Sequence, residues 1–121
     1  MKWFAFLLLL PMLAVAPASA DENGARLFAP CRACHSLDPT ERGLPGPNLA
    51  GVAGRVVAGD PAFDYSPVLQ EARAKGEVWT KDKLDLYLSD PQAVYAGTWM
   101  GSPPIRDAKQ RADILCVLGG R

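Results

Sequence analysis

The chain has 121 residues, of which 49% are hydrophobic and 21% charged, and its formal net charge is zero. This length fits a single domain, and the composition is too apolar for a generally disordered chain. The balanced charge argues against nucleic-acid binding, which normally needs a basic face. No apolar run reaches the roughly 18 residues that an ordinary transmembrane helix requires.

The first 20 residues have the layout of a secretory signal peptide. Lys2 supplies a positive start, residues 4–16 are mostly apolar, and Ala18-Ser19-Ala20 forms a small-residue cleavage site. We therefore expect residues 1–20 to be a signal peptide cut after Ala20, and residues 21–121 to form the mature domain. The alternative is an uncleaved membrane anchor, which the short apolar region disfavours.

A short first helix is predicted over Asn23–Ala29, with Asn23 as its N-cap and Leu27 and Phe28 as apolar anchors. Pro30 has no backbone N–H to donate, so the helix must end or kink there. The next residues therefore begin a new local conformation.

Residues 31–35 read Cys-Arg-Ala-Cys-His, the C-x-x-C-H signature of c-type haem attachment. Residues three apart lie on one side of a helical turn, so the Cys31 and Cys34 sulfurs can reach the vinyl groups of one porphyrin. His35, the only histidine in the chain, can then present its imidazole to the iron. The motif predicts one haem c, held covalently through both cysteines.

Three other interpretations of this motif remain open. A redox-active C-x-x-C normally follows a strand in a βαβ unit, and the chain has almost no strand pattern. A zinc site could combine Cys31, Cys34 and His35 with Cys116, although adjacent Cys34 and His35 suit one tetrahedral ion poorly. A structural disulfide between Cys31 and Cys34 is the simplest alternative.

The middle of the chain, residues 36–64, is rich in Gly and Pro and predicts little regular structure. Such a long irregular stretch is unusual in a compact domain unless it has a function. Wrapping a flat, rigid cofactor is such a function.

Three helices are predicted next, each opened by a capping residue. Ser66 and Pro67 begin a helix that ends at Gly76, Thr80 caps the second, and Asp90 followed by proline begins a short third. The apolar stripe of the helix after Thr80 comprises Leu84, Tyr87 and Leu88.

The loop after these helices holds a candidate for the second axial ligand. The mature chain has no second His, which excludes bis-histidine ligation, and Met100 is its only Met. Because Met100 lies among glycines and prolines, ligation is favoured over a gap-filling role in the core. His/Met ligation raises the reduction potential and leaves no open position for a substrate, which favours electron transfer over catalysis.

A last helix is predicted from about Ile105 to Leu118, and Gly119-Gly120 ends it. Its predicted apolar face comprises Ile105, Ala108, Ala112, Leu115 and Leu118. Cys116 lies within this helix, and we expect it to be a buried thiol that acts as a small hydrophobic residue.

Taken in order, these motifs resemble the class I cytochromes c over nearly all of the mature chain. The matching residues are Gly24 and Phe28, Cys31-x-x-Cys34-His35, Gly46-Pro47-Asn48-Leu49, Gly54-Arg55, Phe63-x-Tyr65, Trp79, Leu84-x-x-Tyr87-Leu88-x-x-Pro91, Gly97-Thr98-x-Met100 and Arg111-x-Asp113. C-x-x-C-H alone is moderately specific, whereas the ordered set is highly specific.

The resemblance implies roles for several residues. The Pro47 carbonyl should accept the ring proton of His35 and so fix its tautomer, and Gly24 and Phe28 should lie where the first helix crosses the last. The side chains matching positions that bond or charge-balance the haem propionates are Arg55, Tyr65, Trp79 and Thr98.

The chain also departs from the family's pattern. Val117 stands where an aromatic residue usually packs on the first helix, so that contact should be thinner. The basic residues that ring the haem edge in mitochondrial members are mostly absent. Near their positions stand Pro30, Gln92, Ala93 and Trp99. Trp99 beside Met100 suggests an apolar docking surface rather than a cationic one.

The resemblance implies an all-α cytochrome c fold, with about five short helices around one covalent haem c and crossed first and last helices. The expected function is one-electron transfer in the bacterial periplasm by a monomer that is not an enzyme. It would dock transiently at the haem edge with a protein donor and acceptor. No binding to nucleic acid is expected, and no stable membrane insertion once the signal peptide is cleaved. Alternatives are a dedicated haem subunit of a periplasmic dehydrogenase or oxidase, a ligand-binding or peroxidatic protein with a labile Met, and a non-haem metal or disulfide module.

Overall fold

The computed structural model describes residues 11–119, which form five α-helices, one 3-10 turn and long irregular connections. The helices are α1 (Ala20–Phe28), α2 (Pro67–Ala74), α3 (Lys81–Ser89), α4 (Pro91–Val94) and α5 (Ala108–Val117). The 3-10 turn, Ala29–Ala33, directly follows α1. The all-α fold class predicted from the sequence is thereby confirmed for the described part of the chain.

Helix α1 begins earlier than predicted. In the uncleaved chain its N-cap is Ser19, whose hydroxyl accepts the N–H of Glu22 at 3.2 Å, so the prediction that Asn23 caps the helix is wrong. Cleavage after Ala20 would remove this cap. Ser followed three residues later by Glu is a capping-box sequence, and it extends the helix by one turn. The helix ends at Phe28, one residue ahead of its predicted end and just before Pro30.

Helices α1 and α5 cross, as the resemblance implied. Gly24 lies so close to α5 that a Cβ atom there would overlap the carbonyl oxygen of Asp113 and approach Val117 Cγ1 at 3.1 Å. Phe28, one turn further along α1, is 2% exposed and belongs to the hydrophobic core. The crossing therefore depends on backbone approach at Gly24 and on apolar burial at Phe28.

Helix α5 begins three residues later than predicted. Asp107 caps it by accepting the N–H groups of Lys109 and Gln110 at 2.8 and 3.1 Å. Ile105 lies outside the helix, where its N–H donates to the Leu88 carbonyl at 2.9 Å. The predicted apolar face is also wrong in part, because two of its members, Ala108 and Ala112, are exposed. The buried residues are Asp113, Ile114, Leu115 and Leu118.

The starts of the three middle helices are confirmed. Thr80 Oγ1 accepts the Lys83 N–H at 3.1 Å, and Asp90 Oδ1 accepts the Ala93 N–H at 3.2 Å. Ser66 is in the N-cap position of α2, but its hydroxyl makes no capping bond and is buried without a partner.

No helix or strand interrupts the chain between the 3-10 turn and α2, as predicted for residues 36–64. Within residues 11–119, a single β-bridge pairs Val56 with Val78 and joins this segment to the residues before α3. The largest buried apolar side chains are Phe28, Val52, Val57, Tyr65, Leu69, Trp79, Leu84, Tyr87, Tyr95, Ile114, Leu115 and Leu118.

The predicted signal peptide lies partly outside the described residues, which begin at residue 11. Residues 11–20 are all exposed, and the apolar Met12, Leu13 and Val15 are 100%, 90% and 93% exposed. These side chains take no part in the hydrophobic core. Among residues 11–119, no helix has both the length and the hydrophobicity needed to span a bilayer.

Candidate functional site

The C-x-x-C-H sequence forms one tight turn at the end of α1. The N–H groups of Cys34 and His35 both donate to the Cys31 carbonyl, at 3.1 and 2.9 Å. Both thiols are free, with Cys31 half-buried and Cys34 exposed. The turn thus holds two free sulfurs next to each other, as covalent attachment of a single flat cofactor requires.

Two of the alternative interpretations of the motif, the structural disulfide and the zinc site, find no support in this geometry. Cys31 and Cys34 are not joined by a disulfide. Within residues 11–119, no three His, Cys, Asp or Glu side chains gather closely enough to share a metal ion, so Cys116 does not complete a zinc site. Cys116 is half-buried rather than fully buried as predicted.

His35 is held by the backbone of Pro47. Its Nδ1 lies 2.7 Å from the Pro47 carbonyl oxygen. A carbonyl only accepts, so Nδ1 carries the proton and Nε2 keeps its lone pair. Burial lowers the pKa of His35, although the bond to Pro47 opposes this shift. The imidazole is therefore neutral at pH 7, which is the form that binds a metal.

The loop that supplies Pro47 lies close against the motif. Gly46 N–H donates to the Cys34 carbonyl at 2.8 Å, and Leu49 N–H donates to the Ser36 carbonyl at 2.9 Å. A Cβ at Gly46 would come within 2.8 Å of His35 Cε1. Glycine is thus required here by close approach to the imidazole ring.

Arg55 and Trp79, two predicted propionate partners, are brought together by the bridge between Val56 and Val78. Trp79 N–H donates to the Arg55 carbonyl and Gly54 N–H donates to the Trp79 carbonyl, both at 2.8 Å. The ring of Trp79 packs against those of Tyr87 and Tyr95, with centroid distances of 4.9 and 5.9 Å. The pairing is long-range in the chain, so sequence spacing alone does not reveal it.

The Arg55 guanidinium is only partly satisfied by protein groups. Its terminal nitrogens donate to the Asn48 and Ala50 carbonyls at 3.0 and 3.4 Å. Its Nε is buried and has no partner. A buried unpaired donor on a cation is costly, and an anionic group such as a carboxylate of a bound cofactor would satisfy it.

Tyr65 also keeps a donor available. Its hydroxyl oxygen accepts the Asp60 N–H at 3.1 Å, while the residue is 7% exposed. Because an accepted bond leaves the phenolic proton free, Tyr65 can still donate to a further group. The next residue, Ser66, has a buried hydroxyl with no partner.

The Met100 loop is bound to α3 through Thr98. Met100 is half-buried and packs against the core. Thr98 Oγ1 lies 2.7 Å from the hydroxyl oxygen of Tyr87, and Thr98 N–H donates to the Tyr95 carbonyl at 3.0 Å. Tyr87, which the sequence predicts only as a core residue, therefore anchors the loop that presents Met100.

The exposed side chain of Gln92 also binds the Met100 loop, and the sequence gives no indication of this role. Its Oε1 accepts the Gly97 N–H at 3.0 Å, and its Nε2 donates to the Thr98 carbonyl at 2.9 Å. Together the two bonds fix the peptide segment just before Met100.

We expect Gln92→Ala to loosen the Met100 loop, because both amide bonds are lost. With Met100 as an iron ligand, as the sequence predicts, the far-red band of Met-bound ferric iron in the haem-loaded protein should weaken. It should also disappear at a lower pH and temperature than in the wild type. Gln92→Glu keeps the acceptor for Gly97 but not the donor to Thr98, so its effect should be intermediate. Gln110→Ala on the exposed side of α5 is the control, and an equal loss of the band in that variant would contradict the role of Gln92.

Trp99, next to Met100, points largely into solvent. Its side chain is 63% exposed, and the uncharged residues 101–104 after Met100 are exposed as well. Contiguous exposed apolar patches often mark contact surfaces, whereas single exposed apolar side chains are common. The apolar docking surface expected from the sequence stays a prediction.

Comparison with known proteins identifies clear relatives. The chain is 41% identical over 105 residues to a cytochrome c2 of Rhodopila globiformis, covering 85% of this chain and 94% of that protein. It is 39% identical over 78 residues to cytochrome c-550 of Ancylobacter novellus, covering 64% of this chain and 73% of that one. No protein-family model matches the chain.

Solved structures give the same result. Cytochrome cH from Methylobacterium extorquens superposes with a TM-score of 0.73 at 33% identity, covering 84% of this chain and 98% of that one. Cytochrome c2 from Rhodospirillum centenum superposes with a TM-score of 0.73 at 31% identity, covering 79% and 92%.

Proposed function

The chain belongs to the class I cytochrome c family, and from this premise we propose that it is a periplasmic one-electron carrier with iron ligated by His35 and Met100. Members of the family are electron carriers with covalent haem c, and Cys31 and Cys34 are the attachment residues of this chain. The observation that carries the ligand assignment is the orientation of the His35 imidazole, whose Nδ1 lies 2.7 Å from the Pro47 carbonyl oxygen.

The residues of the site fit haem c. Two free thiols share one turn, one imidazole has an available Nε2, and the buried Arg55 Nε lacks a partner that a propionate would provide. Haem supplies the one-electron redox couple. The protein holds it covalently, sets its ligands and surrounds it with an apolar environment.

The proposed ligand set argues for electron transfer rather than catalysis. With His35 and Met100 both bound, no coordination position remains for a substrate. Thr98, Tyr87 and Gln92 restrain the loop before Met100, which supports a permanent ligand rather than a labile one. Electrons would pass during transient contact of a monomer with redox proteins, and the exposed Trp99 supports an apolar contact surface.

Export is supported by the character of residues 1–20. The leader has the charge, apolar region and small-residue site of a signal peptide. Its described part is exposed and adds nothing to the core. We propose cleavage after Ala20 and function in the periplasm, where covalent haem attachment would follow export.

The first test is the absorption spectrum of the exported protein, made with haem-maturation machinery and recorded oxidised and reduced. We expect the sharp reduced bands of low-spin c-type haem and, when oxidised, the weak far-red band of Met-bound ferric iron. A low-spin haem without that band would remove Met100 as ligand and favour a ligand-binding protein. Absence of haem from the C-x-x-C-H protein would overturn the proposal. Mass spectrometry of the same sample checks cleavage after Ala20.

A further inference from the structure

The peptide group that orients His35 is itself bound to a buried carboxylate. The Pro47 carbonyl oxygen lies 2.7 Å from His35 Nδ1, and the N–H of the same peptide, that of Asn48, donates to Asp60 Oδ2 at 3.1 Å. In a trans peptide the C=O and N–H point in opposite directions, and no described peptide bond is cis. The peptide therefore links Asp60 and His35 in one line of hydrogen bonds.

Asp60 is fixed in place by local structure. Its side chain is buried, at 5% exposure, and its second oxygen accepts the Ala62 N–H at 3.0 Å. Its own N–H donates to the Tyr65 hydroxyl at 3.1 Å. Pro61, the next residue, restricts Asp60 to extended conformations. Both carboxylate oxygens are thus held by backbone N–H groups, one of Asn48 and one of Ala62.

The turn before Asp60 is strained. Ala58 is 1% exposed and has a φ of +57°, a left-handed conformation that is unfavourable for a residue with a Cβ. A Cβ at Gly59 would lie 2.7 Å from the Val56 carbonyl oxygen. Strain of this kind persists only where surrounding contacts enforce it. Here the strained turn places the Asp60 carboxylate next to the peptide between Pro47 and Asn48.

The peptide is also held at its Asn48 side. Asn48 Nδ2 donates to the carbonyls of Asp38 and Glu41, at 2.6 and 3.0 Å, and its Oδ1 accepts the Ala50 N–H at 2.9 Å. These bonds keep the peptide from rotating. Its N–H therefore stays directed at Asp60 and its carbonyl at His35.

Asp60 is ionised at neutral pH. Burial on its own raises the pKa of this carboxyl, but the N–H bonds from Ala62 and Asn48 and the charges of Arg42 and Arg55 hold the pKa below its usual range. A carboxylate that accepts an N–H polarises the peptide and makes its carbonyl a stronger acceptor.

We propose that Asp60 is a positioning residue that strengthens the bond from His35 to the Pro47 carbonyl and thereby lowers the reduction potential of the bound haem. A stronger bond at Nδ1 makes the imidazole more basic toward iron, which favours the ferric state. The inference rests on His35 being an axial ligand, as proposed above.

The test compares haem-loaded wild-type protein with Asp60→Asn. An asparagine can no longer accept both N–H groups and has no charge. We expect the redox equilibrium to shift toward the reduced protein by roughly threefold to tenfold, which is a rise in the reduction potential of about 28 to 59 mV for one electron. In the reduced protein, the NMR resonance of the His35 Nδ1 proton should move upfield because its hydrogen bond weakens.

Glu41→Gln is the matched control. Glu41 lines the same small cavity as Asp60 and Asn48, but the Glu41 side chain does not bond the peptide between Pro47 and Asn48. It should change neither the potential nor the His35 proton. A rise in potential in Asp60→Asn with an unchanged His35 proton would show that the Asp60 charge acts on the haem directly through space. That result would overturn the proposed relay, in which Asp60 acts on His35 through the peptide between Pro47 and Asn48. No change in either quantity would overturn it as well.

Two further measurements distinguish a failure of the relay from misfolding of the variant and from a failure of the proposed function. If Asp60→Asn does not fold, the Asn48 amide proton of reduced wild-type protein decides: slow exchange with solvent supports the bond to Asp60, and rapid exchange overturns it. A wild-type protein in which His35 does not bind the haem iron would overturn the proposed function together with the relay. A normal wild-type spectrum with an unresponsive Asp60→Asn would overturn the relay alone.

Discussion

Replacing Met100 by alanine is expected to abolish the far-red band of the oxidised protein and to let carbon monoxide bind the reduced iron. The thioether stabilises ferrous iron, so the reduction potential should also fall, by on the order of 100 mV within the roughly 0.8 V that axial ligation spans. Haem should stay attached, because Cys31 and Cys34 are untouched. Absorption spectra with and without carbon monoxide, together with a redox titration, measure all three effects.

Trp99→Ala is the control for this experiment. Trp99 is adjacent to Met100 but 63% exposed, so its removal should leave the far-red band intact and should not admit carbon monoxide. Circular dichroism checks that both variants keep their helices. If Met100→Ala retained the far-red band and excluded carbon monoxide, another group would hold the sixth position and the His/Met assignment would be wrong.

Features that depend on a few adjacent residues could be predicted from the sequence. The caps Thr80 and Asp90 bond N–H groups three residues ahead, and this is a local property of the chain. The turn from Cys31 to His35 is equally local. Even so, Ser19 was missed as the cap of α1, because it lies inside the expected leader.

Errors arose where a distant partner decides the conformation. Ile105 has the spacing of a helical apolar residue, but its N–H pairs with the Leu88 carbonyl, and α5 begins only after Asp107. Ala108 and Ala112 are exposed because α5 turns Asp113 and Ile114 toward α1 and the core. Periodicity alone does not fix which side of a short helix is buried.

The candidate site also combines features that the sequence predicts with features set by distant contacts. The bond from His35 to Pro47 was implied by the resemblance and is present at 2.7 Å. Asp60 and Gln92 could not be found in this way, because Asp and Gln are common on surfaces and their function here depends on loop conformation. Asp60 contacts a residue 12 positions away, and Gln92 binds a loop that the helix pattern does not place.

Gly24→Ala is expected to destabilise the protein more than an ordinary surface substitution, because the new Cβ would overlap the backbone carbonyl of Asp113. A backbone atom in a packed helix cannot move aside as a flexible side chain can. Overpacking of this kind costs typically about 1–3 kcal/mol, and we expect the upper end of that range. Helix propensity acts in the opposite direction, since alanine exceeds glycine by about 1 kcal/mol in a helix interior.

The measurement is urea unfolding of the haem-loaded variant, with the free energy of unfolding extrapolated to water. Ala25→Gly on the exposed side of α1 is the control, and it should lose only the propensity difference of about 0.5–1 kcal/mol. The Gly24→Ala haem spectrum should remain low-spin at low urea, because Gly24 lies at the helix crossing and not at the ligands. A Gly24→Ala protein as stable as wild type would mean that α1 and α5 do not approach as closely as the fold requires, since only a wider crossing leaves room for the methyl group.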